Sequence, residues 1–212
     1  MYSTDQVIDV IGLISEKIES EKEYLTDLDR PIGDSDHGIN MARGFKAVCD
    51  KLPSLAGKDI GTVLKTAGMT LVSTVGGSAG PLYGTAYMNA GKYAAGKTEI
   101  GMDDLIAMID AAIAGVQMRG KSTAGEATML DAMVPTLEAL REGQAAGKTA
   151  AEILGAAADA AMKGAESTVP MIATKGRASY VGERGIGHQD PGATSWAMTV
   201  GVIADHVKGV NA

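Results

Sequence analysis

Apolar positions recur along this chain at the 3.6-residue spacing of helices, from one end almost to the other. Val7, Ile11, Ile14 and Ile18 fall on one stripe, with Ser3 or Thr4 ahead of them as a cap. The same spacing predicts helices over Met41–Lys51, ending before Pro53, and over Ile60–Ser73. A helix over Pro81–Ala95 opens with proline in its first turn, where a missing N–H is no loss. Leu105, Met108, Ile109, Ala112, Ile113 and Val116 form a clean i, i+3, i+4 stripe, with Asp103 and Asp104 near its positive end. Thr128–Arg141 follows, and its internal Pro135 predicts a kink or a break. Ala150–Lys163 is alanine-rich, and a last helix runs from about Ala193 to Lys208. No stretch alternates β-branched with polar residues, so no strand is predicted. The expected fold is all-α, about eight helices in a single domain over residues 1–212, with loops alternating between two ends.

Composition narrows the function. At 45% hydrophobic and 21% charged residues the chain is globular and not disordered. Its net charge of −7 argues against nucleic acid and anionic membranes as partners. Any phosphate site must then work through local donors and a metal. Cys49 is the one cysteine, which excludes an internal disulfide and fits a reducing compartment. The first residues are polar, without the pattern of a signal peptide, and no apolar run approaches the roughly 20 residues that span a bilayer. A cytoplasmic location is expected. Aromatics are only 4% and glycines number 28, so helices can approach closely and the backbone can turn tightly between them.

Four segments carry candidate chemistry. Asp29, Asp34 and Asp36 crowd into the stretch Asp29-Arg30-Pro31-Ile32-Gly33-Asp34-Ser35-Asp36. Like charges so close raise one another's proton affinity unless a cation neutralises them. A carboxylate-rich loop without thiols suits a hard cation such as Mg²⁺, whose open positions phosphates commonly fill. The same residue types also make an ordinary solvated turn with Asp34 as a helix N-cap. The spacing is not that of an EF-hand. Next, Gly76-Gly77-Ser78-Ala79-Gly80-Pro81 places glycines before a helix start, where free N–H groups and the helix dipole attract an anion. It lacks the Gly-Lys-Ser/Thr of a P-loop, and a tight helix–helix turn has the same composition. Small residues from Arg119 to Gly125, followed by Thr128 and Met129, could admit a flat ligand, with Met129 either on its face or simply filling core. Finally, the polar run from Thr174 to Ala193 holds Arg177, Arg184, His188 and Asp190. Such a loop is costly to order without a ligand, although it could also be a flexible surface loop, and either arginine could pair with phosphate. Nothing supports nucleophilic hydrolysis, since no Ser-His-Asp or Cys-His arrangement emerges.

Taken together, Gly33-Asp34-Ser35-Asp36-His37-Gly38, Gly76 through Gly84, Gly176-Arg177-Ala178-Ser179-Tyr180 and Gly187 through Ala193 resemble the nucleotide-binding L subunit of bacterial dihydroxyacetone kinases. The resemblance spans nearly the whole chain. It implies a barrel of eight antiparallel helices with nucleotide and two Mg²⁺ ions at one end. Asp29, Asp34 and Asp36 would hold the metal. His37, Gly38, Ile39 and Asn40 would touch the nucleotide, as would Gly77, Ser78 and Ala79 at its phosphates. Gly120, Thr128 and Met129 would line the base or ribose, and Arg177 with Asp190, Pro191 and Gly192 would close the site. Where the family often has Asp-Lys, this chain has Glu126-Ala127. No catalytic side chain is assigned beyond the candidate phosphate contacts Ser78 and Arg177.

The resemblance also implies a reaction. The helical domain stands at the start of the sequence, so it resembles the separate subunit of the enzyme that depends on the phosphotransferase system. There ADP stays tightly bound and is recharged to ATP by the phosphocarrier M subunit. The phosphoryl group then passes to dihydroxyacetone held covalently on the K subunit. Two other readings remain open: a kinase component that exchanges ATP freely, and a non-catalytic regulatory module.

Overall fold

The computed structural model describes residues 1–210. Its helices are α1 (Thr4–Ser20), α2 (Lys22–Asp29), α3 (His37–Cys49), α4 (Ile60–Thr74), α5 (Ala79–Tyr93), α6 (Met102–Gly120), α7 (Leu130–Ala145), α8 (Ala150–Glu166) and α9 (Pro191–Val210). The expected all-α class holds, with nine helices among the described residues where about eight were expected. One antiparallel pair of two-residue strands adds to them, β1 (Tyr2–Ser3) with β2 (Glu99–Ile100), too short to leave an alternating pattern. Among the described residues no helix is long and apolar enough to cross a membrane.

Local chemistry sets the helix ends. Ser3 caps α1 in a capping box with Gln6, as expected, and Thr149 does the same for α8 with Glu152. Asp59 caps α4 through the Thr62 amide, 3.0 Å away. The extra helix, α2, buries only Leu25, Thr26 and Asp29, so it has no apolar stripe to betray it. It also moves the start of α3 forward to His37 from the expected Met41. Pro135 does not break α7. The Asp131 carbonyl, four residues back, loses its intrahelical donor to the proline. It lies against Gly164 of α8, where an added Cβ would stand only 2.1 Å from that oxygen.

Every helix contributes to one buried apolar cluster, whose fully buried members include Ile18, Leu25, Phe45, Leu71, Leu130 and Leu140. From α3 onward each helix packs on the next, and α9 returns to α1, which in turn packs on α3. This closes a circuit. The α4–α5 contact in that circuit is made by paired glycines. A Cβ on Gly68 would lie 2.7 Å from the Gly84 carbonyl, and one on Gly84 2.7 Å from the Gly68 carbonyl. Gly61 and Gly91 repeat the arrangement two turns away, each Cβ position within 2.9 Å of the other's carbonyl. Backbone-to-backbone contact of this kind is open only to glycine.

Candidate functional site

The N-terminal ends of α3, α5, α7 and α9 face a common cavity of about 380 Å³, and the last residues of α2 and α6 reach the same place. Segments distant in sequence are thereby brought together. The cavity is lined by Asp29, Asp34, Asp36, His37 and Asn40; by Gly77, Ser78 and Ala79; by Gly120, Thr128 and Met129; and by Arg177, Asp190, Pro191 and Gly192.

The acidic loop is built around Asp29. Buried at the end of α2, Asp29 accepts hydrogen bonds through Oδ2 from the amides of Asp36 at 2.9 Å and His37 at 3.3 Å. Gly33 lies against the same carboxylate, and a Cβ there would come within 1.9 Å of Oδ1. Ser35 makes the turn between the other two acids with a left-handed φ of 60°. Asp29, Asp34 and Asp36 each offer an oxygen, all within 4.8 Å of one another. Among the described residues, the ion pair made to these three acids comes from Arg177, whose Nε is 2.5 Å from Asp34 Oδ2. The donor set is all oxygen, clustered and under-neutralised, which fits a hard divalent ion. An ordinary capped turn does not describe it: Asp36, not Asp34, occupies the N-cap of α3, and its side chain makes no capping bond.

At the start of α5, Ser78 is the N-cap residue and likewise makes no side-chain capping bond. Its hydroxyl and the amides of the first turn are available to a ligand, and the dipole adds positive potential. Gly77 has φ 65°, and a Cβ there would meet nothing within 4 Å, so its backbone borders open space. These features fit a phosphate group. Elsewhere on the lining Gly120, Ala127, Thr128 and Met129 present small or apolar surface. Met129 is both core and wall, being only 4% exposed while lining the cavity.

Two expected contacts lie elsewhere. Gly38 faces α2, where a Cβ would be 2.0 Å from the Lys22 carbonyl, and Ile39 points outward, 49% exposed. Neither lines the cavity. Of the run from 182 to 192, only Asp190, Pro191 and Gly192 do so, and Arg184 does not. Residues 182–185 form a separate 3₁₀ turn.

Three supporting groups escaped the sequence reading. Asp131, 4% exposed, accepts from the amides of Gly125 and Thr128 and so shapes the loop ahead of α7. The spacing Thr128-x-x-Asp131 is a capping pattern and could have revealed it. Glu126 accepts from the Thr123 amide and the Thr174 hydroxyl, both at 2.7 Å, and pairs with Lys175 at 3.6 Å. It therefore ties the loop before α7 to the strap that carries Arg177. Ser195, wholly buried behind the cavity wall, contacts His37 and Tyr83 and left no signal among the small residues of α9.

Burial governs the titration of the wall. It pushes the Asp190 carboxyl up to about 7, with Asp131 and Asp29 adding repulsion against bonds from the Ala193 and Gly192 amides. It holds the His37 imidazole down at about 4, against a smaller opposing pull from Asp29. Both groups are therefore neutral over a wide acidic range.

Comparison with known proteins places this geometry. Residues 31–205 match the DAK2 domain. The chain is 45% identical over 202 residues to the ADP-binding subunit DhaL of a PEP-dependent dihydroxyacetone kinase from Escherichia coli, covering 95% of this chain and 96% of that one. It is 47% identical over 193 residues to the ADP-binding subunit DhaL of PEP-dependent dihydroxyacetone kinase 2 from Listeria innocua, covering 90% of this chain and 89% of the relative. A crystal structure of the dihydroxyacetone kinase from C. freundii, in complex with AMP-PNP and Mg²⁺, superposes with a TM-score of 0.72 at 27% identity. That match takes in 94% of this chain but 33% of the longer one. The chain belongs to the DAK2-domain family, and within it stands with the ADP-binding subunits of the PEP-dependent dihydroxyacetone kinases.

Proposed function

We propose that this chain carries ADP as a tightly bound cofactor, with two Mg²⁺ ions, and works in the cytoplasm as the relay between two partner subunits. The phosphocarrier M subunit would charge the ADP, and the K subunit would present dihydroxyacetone to receive the phosphoryl group, giving dihydroxyacetone phosphate. The observation that carries the reading is the meeting of an under-neutralised carboxylate cluster with the uncapped N-terminus of α5 in one cavity.

Phosphoryl transfer depends on positioning and charge neutralisation more than on covalent help from the protein. Metal held by Asp29, Asp34 and Asp36 would offset charge on the phosphate oxygens. Ser78, with the amides of Gly77 and Ala79, would hold the outer phosphates, and Arg177 would shift from Asp34 to a phosphate oxygen as metal takes its place. Thr128, Met129 and Gly120 would receive the base and ribose. In the first step the phosphorus–nitrogen bond of a phosphohistidine breaks as a bond to the terminal ADP oxygen forms. In the second, the new terminal P–O bond breaks as the substrate hydroxyl attacks. The proton released by that hydroxyl would go to a base on the K subunit.

Gel filtration of the purified chain in nucleotide-free buffer with Mg²⁺, followed by mass spectrometry, tests the reading. ADP should remain on the protein. It should become ATP on addition of phosphorylated M subunit, and return to ADP when K subunit and dihydroxyacetone follow. ADP that washes off, with turnover that needs added ATP, would refute the cofactor role. Absence of any phosphoryl transfer would leave a regulatory module.

A further inference from the structure

Three of the helices whose N-termini face the cavity are joined at one buried atom. Ser195 Oγ lies 3.0 Å from His37 Nε2, at the first residue of α3, and 2.7 Å from the Tyr83 hydroxyl on α5. It lies 3.1 Å from the Gly192 carbonyl in the first turn of α9, to which its own hydroxyl can donate. The Tyr83 hydroxyl reaches the same carbonyl at 3.3 Å. Ser195 is wholly buried, Tyr83 1% exposed and His37 9% exposed.

These helices supply different parts of the site. His37 follows the metal loop directly, and its amide, with that of Asp36, binds Asp29. Tyr83 lies one turn inside the helix that opens with Ser78. Gly192 belongs to the segment that begins with Asp190. A serine hydroxyl has one proton and two lone pairs. Accepting from Tyr83 and from a protonated His37 Nε2 while donating to the Gly192 carbonyl fills that capacity, and in the other His37 tautomer the serine donates to Nε2 instead. We infer that Ser195 is a positioning residue that fixes the carboxylate loop of α3, the phosphate end of α5 and the N-terminal segment of α9 at their working distances.

The inference rests on the proposed function, because the geometry it fixes is that of the Mg²⁺–ADP site. Ser195 itself does not line the cavity. Its effect on ligand binding must therefore pass through His37, Tyr83 and Gly192.

The test is calorimetric titration of ADP into the full chain, stripped of nucleotide, at several Mg²⁺ concentrations. Ser195→Ala should bind Mg²⁺–ADP roughly tenfold more weakly, as expected for the loss of one to two buried hydrogen bonds. It should also need more Mg²⁺ for half-saturation at fixed ADP. Ser195→Cys, which restores a weak donor of similar size, should recover part of the loss. Tyr83→Phe removes only a hydroxyl and keeps the ring. It should weaken binding severalfold alone and add less than its own effect on top of Ser195→Ala, because the two share one bond. A purely structural serine would lower the melting temperature of the ligand-free protein and leave the affinity of the folded fraction unchanged. Wild-type affinity in both Ser195→Ala and Tyr83→Phe overturns the inference, whatever their melting temperatures. Failure of the wild-type chain itself to bind Mg²⁺–ADP overturns the proposed function, and this inference with it.

Discussion

Replacing Asp190 by asparagine should make the ligand-free protein more stable, increasingly so as pH rises. Asparagine keeps an oxygen to cap α9 at the Ala193 amide, 2.7 Å from Oδ2 in the native chain, while removing the titration. The native carboxyl is raised from 3.8 to about 7 by burial, so the folded state holds its proton longer than the unfolded state does. Between those values stability falls with pH, because the folded chain binds the extra proton. Three pH units correspond to a ceiling of about 4 kcal/mol, and partial exposure of Asp190 brings the expectation to about 2–3 kcal/mol. His37 acts in the opposite direction. Its pKa is lowered from 6.5 to about 4, so its contribution is present above 6.5 and is lost as pH falls through 4. In the native chain the two slopes largely cancel between about pH 4 and 6.5. Asp190→Asn should expose the His37 slope alone. Urea melts followed by circular dichroism, with a chelator present, give the stability of both proteins at each pH. The difference in favour of the variant should be small near pH 4 and reach its plateau above pH 7. A difference that stays constant across this range would refute the assignment of a neutral carboxyl at position 190.

Two further outcomes follow from the geometry. Chelation of Mg²⁺ should lower the melting temperature of ADP-loaded protein: ligand at about 100 times its dissociation constant contributes roughly 2.7 kcal/mol, equivalent to roughly 5–10 °C in a chain of this size. Unchanged melting by calorimetry, with ADP present throughout, would count against metal at Asp29, Asp34 and Asp36. Gly68→Ala should destabilise the fold by about 2 kcal/mol or more, since its Cβ would meet the Gly84 carbonyl at 2.7 Å and force α4 and α5 apart. A urea midpoint equal to that of the native chain would show that the helices can move apart at little cost.

The sequence pattern announced most helices because their buried faces repeat apolar residues, as at Ile11, Ile14 and Ile18 of α1 or Met108, Ala112, Ile113 and Val116 of α6. It passed over α2, where Leu25 is the one large buried residue and Lys22, Glu23 and Asp27 dominate. The same silence blurred the start of α3, since His37 and Asn40 border the cavity and Gly38 lies against α2, rather than forming an apolar stripe. Of the kink or break expected at Pro135, the break does not occur: a proline six residues into a helix can be carried when a neighbouring glycine leaves room for the freed carbonyl, and that neighbour, Gly164, is remote in sequence. Charged and glycine-rich loops marked segments that the structure brings to one cavity, among them the acids and the start of α5. The layer behind them was not legible. Ser195 and Tyr83 read as ordinary small and aromatic core residues, and only their convergence on His37 reveals their place.

Helix ends at the cavity divide into two kinds, and the division indicates where each charge of the ligand belongs. At α9 the Asp190 carboxyl accepts from the Ala193 amide, and ahead of α7 Asp131 accepts from Gly125 and Thr128. Those ends have spent their positive potential on internal acids. At α5 the cap residue Ser78 makes no such bond, so the positive end remains open. At α3 the amides of Asp36 and His37 are taken by Asp29, while Asp34 and Asp36 keep their own oxygens free of capping duty. Among the described residues, α5 is therefore the helix end at this cavity left open to an anion, while Asp36 and Asp34, the latter paired with Arg177, lie on the same lining. A lone phosphate would meet those acids unfavourably, and a lone divalent ion would draw nothing from α5. On the proposed function, a metal–diphosphate pair would satisfy both at once, and the cavity would favour the complex over either component.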